Sequence, residues 1–358
     1  MSGLRVGVVG LGFGATVHVP AFLSEGWTVP VVWSRRIDRA REQAAAFAIA
    51  DATDDIAALI ARDDIDAVAI ATPPVAHYEM VMAALAAGKH VLCEKPFARN
   101  AAEAFEMYDA ARSAGLTGML AHEFRFAPQR LHIKQLLAER YIGTPQIAQI
   151  ELFTGGRRLP QQPPNLGASV ADGGGMLGGL GSHFIDGLRD WFGEVREVSG
   201  LVRVLRPDRT DPHTGAVVQT DAEDTLQFAL TFENGVVVSM TASGAMGPGL
   251  GGRTFISGTE GSLFAVQRGW NPEPDGVVLA AKVGEREFSA LPMPEAHRPF
   301  EDDRDARLVA FRLMVREFER GIREGTSPAP SFEDGWRCQQ VMDAVRESSA
   351  TGRRVRIE

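Results

Sequence analysis

Short apolar runs recur along the first third of the chain, and each is followed by a stretch with helical spacing. Residues 4–9, 29–33, 67–71, 90–93 and 117–121 have the length and apolar content of buried strands. Helices are expected after the first run to about Leu23, then over 37–47, 75–87 and 100–114. Gly88 suits a C-terminal cap, and Asn100 with Glu103 makes a capping pair. Strands that alternate with helices predict βαβ units and a parallel sheet.

The pattern changes after His122. Pro128 opens a helix to about Glu139, 146–152 is a strand, and 182–192 is an amphipathic helix. Residues 198–266 read as several longer strands, with Asn234-Gly235 as a hairpin turn between 226–232 and 236–242. Late helices at 306–320 and 335–348 precede a last strand at 354–357. The expected fold is α/β, with a parallel-sheet domain over 1–122. A second α/β domain over 123–358 carries a largely antiparallel sheet with helices on one face.

Composition narrows the function classes. A chain of 358 residues holds about two domains. Its net charge of -9 and lack of a basic stripe argue against nucleic acid as a partner. Cys93 and Cys338 are the only cysteines, so neither a disulfide framework nor a structural zinc site is expected, and no metal is assigned. No apolar run approaches membrane-spanning length. The chain enters its first strand at Leu4, so no targeting peptide is expected and a cytoplasmic location follows by elimination.

The chemistry starts at Gly10-Leu11-Gly12-Phe13-Gly14-Ala15, between the first strand and the first helix. Gly10 and Gly12 let the backbone approach a pyrophosphate, and Ala15 takes the third small position where helix packs on strand. The helix N-terminus faces the phosphates with its partial positive charge. A dinucleotide site is therefore expected, with Phe13 and Gly14 in its turn. At the end of the second strand, an acid would hold the ribose 2′-hydroxyl of NAD. Here stand Ser34, Arg35 and Arg36, with Arg39 one turn beyond. Guanidinium groups suit a 2′-phosphate, so NADP is favoured and NAD stays possible. Thr72-Pro73-Pro74 closes the next strand, with His77 after it, and this turn is expected under the nicotinamide. A surface histidine at 77 explains the same letters.

Ligands of open parallel sheets sit beyond the carboxyl ends of the strands. Lys95, in Glu94-Lys95-Pro96 after the strand at 90–93, falls there and is the candidate proton donor. A second constellation is the glycine-rich run from Gly173 to Gly181 that leads into Ser182-His183-Phe184-Ile185-Asp186. His183 and Asp186 are three apart and share a helix face, so Asp186 is a candidate to orient the imidazole. A core histidine bonded to a carbonyl is the plainer alternative.

Together these motifs resemble the Gfo/Idh/MocA oxidoreductases (glucose-fructose oxidoreductase, inositol dehydrogenase and relatives), over nearly the whole chain. Residues 121–128, with His122, Glu123 and Arg125, are similar to the segment linking that family's domains. Gly258-Thr259-Glu260-Gly261 is similar to its sheet hairpin, and 329–335 to the start of its last helix. The resemblance implies an N-terminal Rossmann domain and a C-terminal α/β domain with a large, mostly antiparallel open sheet often used in homo-oligomers, dimers or tetramers. It implies reversible hydride transfer between NAD(P) and a secondary alcohol or ketone of a sugar, inositol or related diol. Lys95 would protonate or hold the reacting oxygen, and His183 would act as acid/base or substrate ligand. Glu94 would lie near the nicotinamide ribose, with His122 and Arg125 bordering the substrate. The family commonly has Asp four residues before the histidine, and this chain has Gly179. Two other readings stay open: a non-catalytic nucleotide- and sugar-binding regulator, and a glycoside-acting enzyme with transient redox. Arg157 and Arg158, in the loop 155–172, are candidates for shaping specificity.

Overall fold

A computed structural model describes residues 3–154, 169–210, 214–246 and 249–357. Arg157 and Arg158 lie outside the described residues. The chain divides into two compact units, Met1–Glu123 with Asp302–Gln339, and Phe124–Glu301 with Gln340–Glu358.

The first unit runs β1 (Val6–Val9), α1 (Val19–Ser24), β2 (Val31–Trp33), α2 (Ile37–Ala46), β3 (Asp51–Thr53), α3 (Ile56–Ile60), β4 (Ala67–Ile70), α4 (His77–Ala86), β5 (His90–Cys93), α5 (Ala101–Ala114) and β6 (Gly118–Leu120). These strands form a parallel six-stranded sheet in the order β3-β2-β1-β4-β5-β6. Strand order reverses between β1 and β4, which is where doubly wound sheets receive a dinucleotide. β1 and β4 are buried along their whole length, as a sheet covered on both faces requires. β3 escapes the sequence pattern because it is a three-residue edge strand, exposed at Asp51. The Asn100 side chain accepts a hydrogen bond from the Glu103 backbone N–H at 3.0 Å and so caps α5.

The second unit contains α6 (Pro128–Ala138), β7 (Pro145–Phe153), α7 (Ser182–Phe192) and β8 (Val195–Arg203). A two-stranded ribbon, β9 (Asp208–Thr210) and β10 (Val217–Gln219), follows. Then come β11 (Thr225–Phe232), β12 (Val237–Ser243), β13 (Gly251–Gly258), β14 (Gly261–Gln267), β15 (Val278–Lys282) and β16 (Ser289–Leu291). α8 (Leu308–Glu324), α9 (Phe332–Thr351) and β17 (Val355–Arg356) complete the chain. The large sheet has nine strands in the order β16-β15-β14-β13-β7-β12-β11-β8-β17. Every pairing is antiparallel except β12 with β7. Alternation sets its faces: Leu226, Phe228, Leu230 and Phe232 of β11 are buried, while Gln227 and Ala229 are exposed. The hairpin at Asn234-Gly235 forms as expected, with Gly235 at φ 88° and Asn234 Oδ1 accepting from the Val236 N–H.

The division of the chain at 122 and 123 omits one return. Residues 302–339 go back to the first unit because their apolar side chains complete its core. Phe332 packs 4.5 Å from Phe97, and a Cβ on Gly118 would lie 2.5 Å from the Phe332 ring. Phe318 of α8 stacks on Trp27, and the Leu120 N–H donates to Pro330 O. No helix among the described residues is long and apolar enough to cross a membrane.

Candidate functional site

The glycine-rich turn is built for close approach. Gly10 has φ 94°, and a Cβ there would lie 2.5 Å from the Ala71 carbonyl, so only glycine lets β1 pass β4 at this point. Gly12 is exposed, and its missing side chain leaves open space. At Gly14 a Cβ would sit 3.2 Å from Val8 Cγ1, which is the close packing of helix on strand that the motif demands. The helix beyond starts with a π turn, Gly14–His18, before α1. These features fit a dinucleotide's pyrophosphate. Arg39 of α2 reaches the same turn and donates to Leu11 O from Nε and Nη2, at 3.3 and 2.8 Å. Arg35 is exposed just beyond β2, and Ser34 Oγ accepts from the Arg36 N–H.

Lys95 lies just past β5, in a turn with a cis Lys95-Pro96 bond, and is partly buried. Two histidines hold this turn. His18, fully buried between Phe13 and Phe311, places Nε2 3.0 Å from Glu94 Oε1. A carboxylate only accepts, so this nitrogen carries the proton. Glu94 Oε2 accepts from the Lys95 backbone N–H at 3.2 Å. Burial pushes the Glu94 carboxyl up, but the His18 hydrogen bond and the charges of Lys95 and His77 prevail, so its pKa lies below the usual value.

His77 is not at the surface. It is fully buried, with Nε2 2.8 Å from Thr72 O and Nδ1 3.0 and 3.3 Å from Pro96 O and Phe97 O. Both nitrogens face backbone carbonyls, so the ring sits between the Thr72-Pro73 turn and the Lys95-Pro96 turn and, when neutral, donates to one of them. Burial lowers its pKa against those carbonyls. Its place in the sequence reading as a cofactor contact gives way to this placement.

Beyond β6 come His122 and Glu123, both buried. The Ala121 N–H donates to Cys93 O, after which the His122 N–H turns back to Leu120 O and a tight turn, Glu123–Phe126, begins. Burial, with the Glu94 carboxylate adding, pushes Glu123 up to about 8, against Lys95 and Arg307. The Arg307 guanidinium lies 4.7 Å over the Phe13 ring. Neither His18 nor Arg307 stands in a motif that marks it in the sequence, and Glu123 stands only within the segment 121–128. The available signal was a histidine and a glutamate close to strand ends in a βαβ unit.

In the second unit, His183 stacks on Phe124 with ring centroids 3.8 Å apart and planes 12° from parallel. The Arg130 guanidinium lies 5.1 Å from Phe124 and 4.4 Å from Phe184, and it donates to His183 O. Asp186, the candidate orienter of His183, accepts from Arg125 through both oxygens, at 2.6 and 2.7 Å. Arg125 also reaches Asp190, which Lys134 joins. Arg125, expected to border the substrate, and Asp186, expected to orient His183, thus belong to one buried ion-pair network with Asp190. The glycine-rich approach to α7 is pinned by Glu223. Its Oε1 accepts from the Leu177 N–H, its backbone oxygen accepts from the Met176 N–H, and Arg346 lies 3.4 Å away.

Comparisons with known proteins agree with this geometry. Residues 4–122 match the model of the oxidoreductase family, NAD-binding Rossmann fold, and 134–357 match the model of that family's C-terminal alpha/beta domain. The chain is 31% identical over 353 residues to an uncharacterized oxidoreductase of Synechocystis, covering 96% of this chain and 94% of that one. It is 30% identical over 387 residues to levoglucosan dehydrogenase of Pseudarthrobacter phenanthrenivorans, covering 98% and 97%. A structure of levoglucosan dehydrogenase with NADH and L-sorbose superposes with a TM-score of 0.91 at 27% identity, over the full length of both chains. The chain belongs to the Gfo/Idh/MocA family and is an NAD-binding oxidoreductase.

Proposed function

We propose that this oxidoreductase transfers a hydride between a nicotinamide and a secondary alcohol or ketone of a sugar, inositol or related diol, with NADP preferred. The observation that carries it is Lys95 at the carboxyl end of β5, in a turn held by His18 through Glu94 and by His77. Levoglucosan dehydrogenase, with its NADH and sugar complexes, supports the substrate class.

When bound, the nicotinamide supplies or accepts the hydride. Lys95 holds the substrate oxygen and exchanges its proton, and its cation stabilises the charge that develops there. His183 is the second group that holds substrate or moves a proton, with its ring plane set by Phe124. Arg125 and Asp186 we assign to support of α7, since Arg125 pairs with both Asp186 and Asp190 of that helix. NADP preference rests on the absence of an acid after β2 and on Ser34, Arg35 and Arg39 in that region. Arg39 is held beside the glycine-rich turn by Leu11 O. We also propose a homo-oligomer, because the large sheet leaves Ile147, Leu201, Val237 and Val266 exposed.

The test is reduced-nicotinamide absorbance with sugars, inositols and diols, using NADP(H) and NAD(H) in parallel. Lys95→Ala is expected to lower kcat/KM by about 10²- to 10⁴-fold. Full turnover in that variant would end the mechanism. Ser34→Asp is expected to turn the preference toward NAD by placing a carboxylate near the 2′ position. Equal or better use of NAD by the wild type would remove the NADP reading.

A further inference from the structure

The glycine-rich turn carries no cation of its own: residues 10–17 read Gly-Leu-Gly-Phe-Gly-Ala-Thr-Val. A pyrophosphate seated there gains from the helix N-terminus, and a charged donor strengthens its hold further. Arg39 of α2 reaches the turn but spends Nε and Nη2 on Leu11 O. The return of the chain over residues 302–339 brings a second arginine to the same turn. Arg307, the residue before α8, holds its guanidinium 4.7 Å over the Phe13 ring.

Several contacts fix that position. Phe311, one turn into α8, packs 4.5 Å from His18 and 6.2 Å from Phe13, so the start of α8 rests on the π turn Gly14–His18. Arg312 and Arg316 of the same helix bind Glu25, the residue that ends α1. The Asp305 carboxylate accepts from Nε and Nη2 of Arg307 at 2.8 and 2.6 Å, a fork that sets the guanidinium plane. This fork occupies one edge of the guanidinium and leaves Nη1 for a further acceptor. The side chain is 27% exposed, so a ligand can reach it. Arg307 also lies within the fields of Glu94 and Glu123, which follow β5 and β6. It therefore stands between the turn after β1 and the turn after β5, the span that a dinucleotide crosses from pyrophosphate to nicotinamide.

We propose that Arg307 is a ligand of the dinucleotide's nicotinamide-side phosphate, aimed by Asp305 and braced on Phe13. The proposal rests on the dinucleotide site described above. Phe13 covers one face of the guanidinium, which keeps water from that face and adds a cation–π attraction. Asp305 holds the plane before the ligand arrives, so less side-chain entropy is lost on binding.

The test is calorimetric titration of the full chain in wild type, Arg307→Gln and Arg307→Lys. The ligands are NADPH, NADH, ADP-ribose, which has both phosphates and no nicotinamide, and adenosine 2′,5′-bisphosphate, which lacks the nicotinamide-side phosphate. Arg307→Gln is expected to raise Kd about ten- to hundredfold for NADPH, NADH and ADP-ribose alike, the loss of a charged hydrogen bond. The bisphosphate should stay within about twofold, since it has no group at that position. Arg307→Lys keeps the charge and loses the fork, so it should show a smaller loss of the same pattern. Salt should weaken ADP-ribose binding less steeply in Arg307→Gln than in wild type. Melting without ligand checks that each variant is folded, and the rise in Tm on adding NADPH should shrink in Arg307→Gln. Unchanged ADP-ribose affinity in both variants overturns the proposal. An equal loss for ADP-ribose and the bisphosphate also overturns it, because the arginine would then serve the adenosine half. Wild-type binding of NADPH or NADH in the same series tests the dinucleotide site itself, so a failure there is distinct from a failure of Arg307.

Discussion

Gly179 is the residue at which this chain departs from its family's usual Asp, four positions before His183. The departure is not forced by packing: Gly179 is exposed, and a Cβ there meets nothing within 4 Å. Gly179→Asp should therefore fold normally. Its stability should be unchanged to within a few tenths of a kcal/mol, since Asp ranks only slightly above glycine within a helix. Turnover should rise, because a carboxylate one turn before the imidazole stabilises it when it takes a proton. Urea unfolding and a rate comparison check both parts. A loss above about 1 kcal/mol would mean that the space is not open. Single residues were legible in the sequence where a motif carried them, as at Gly10, whose positive φ and closeness to Ala71 suit the turn. His18 and Glu94 are 76 residues apart and meet only when the sheet assembles, so their bond was not. His77 fell to the same cause, because nothing near it in the chain announces the carbonyls of Pro96 and Phe97.

Elements were legible where burial imposes a period. β11 and β12 alternate, β1 and β4 are continuously apolar, and the Asn234-Gly235 turn has chemistry suited to a hairpin. β3, with exposed Asp51, has no pattern to read. The glycine-rich entrance to α7 shows why glycine counts alone mislead. Gly175 and Gly179 look alike in sequence, yet Gly175 has φ 100° and its hydrogen points at the Glu223 carboxylate. A Cβ there would displace the acceptor of the Leu177 N–H and strain the backbone. Gly175→Ala should cost about 2–4 kcal/mol, from the left-handed backbone and one charged hydrogen bond. Gly179→Ala should cost nothing. Urea midpoints of the two alanine variants, measured side by side, make the comparison, and equal midpoints would refute it.

At the scale of the molecule, proton linkage ties the candidate site to stability. His77, His90, His132 and His297 are all pushed down by burial, so the folded chain binds fewer protons than the unfolded one just below pH 6.5. Their contribution is present above about 6.5 and is lost as the pH falls. Glu123 has the opposite sign. Its pKa rises from 4.5 when unfolded to about 8 when folded, so the folded chain binds the extra proton between those values. Stability from that proton is complete below 4.5 and is lost as the pH climbs through 8. Glutamine keeps the shape of the protonated acid and cannot ionise, so Glu123→Gln escapes this loss. The melting temperatures of variant and wild type should lie close together near pH 5. They should then separate in favour of the variant as the pH rises to about 8, the underlying difference in stability reaching about 5 kcal/mol at full ionisation. On the acid side both should fall together, because the histidines are untouched. A constant offset between the two melting curves would mean that Glu123 is ionised in the fold throughout. Glu94 would then have a charged neighbour, and the two carboxylates would need the Lys95 and Arg307 cations jointly to hold them.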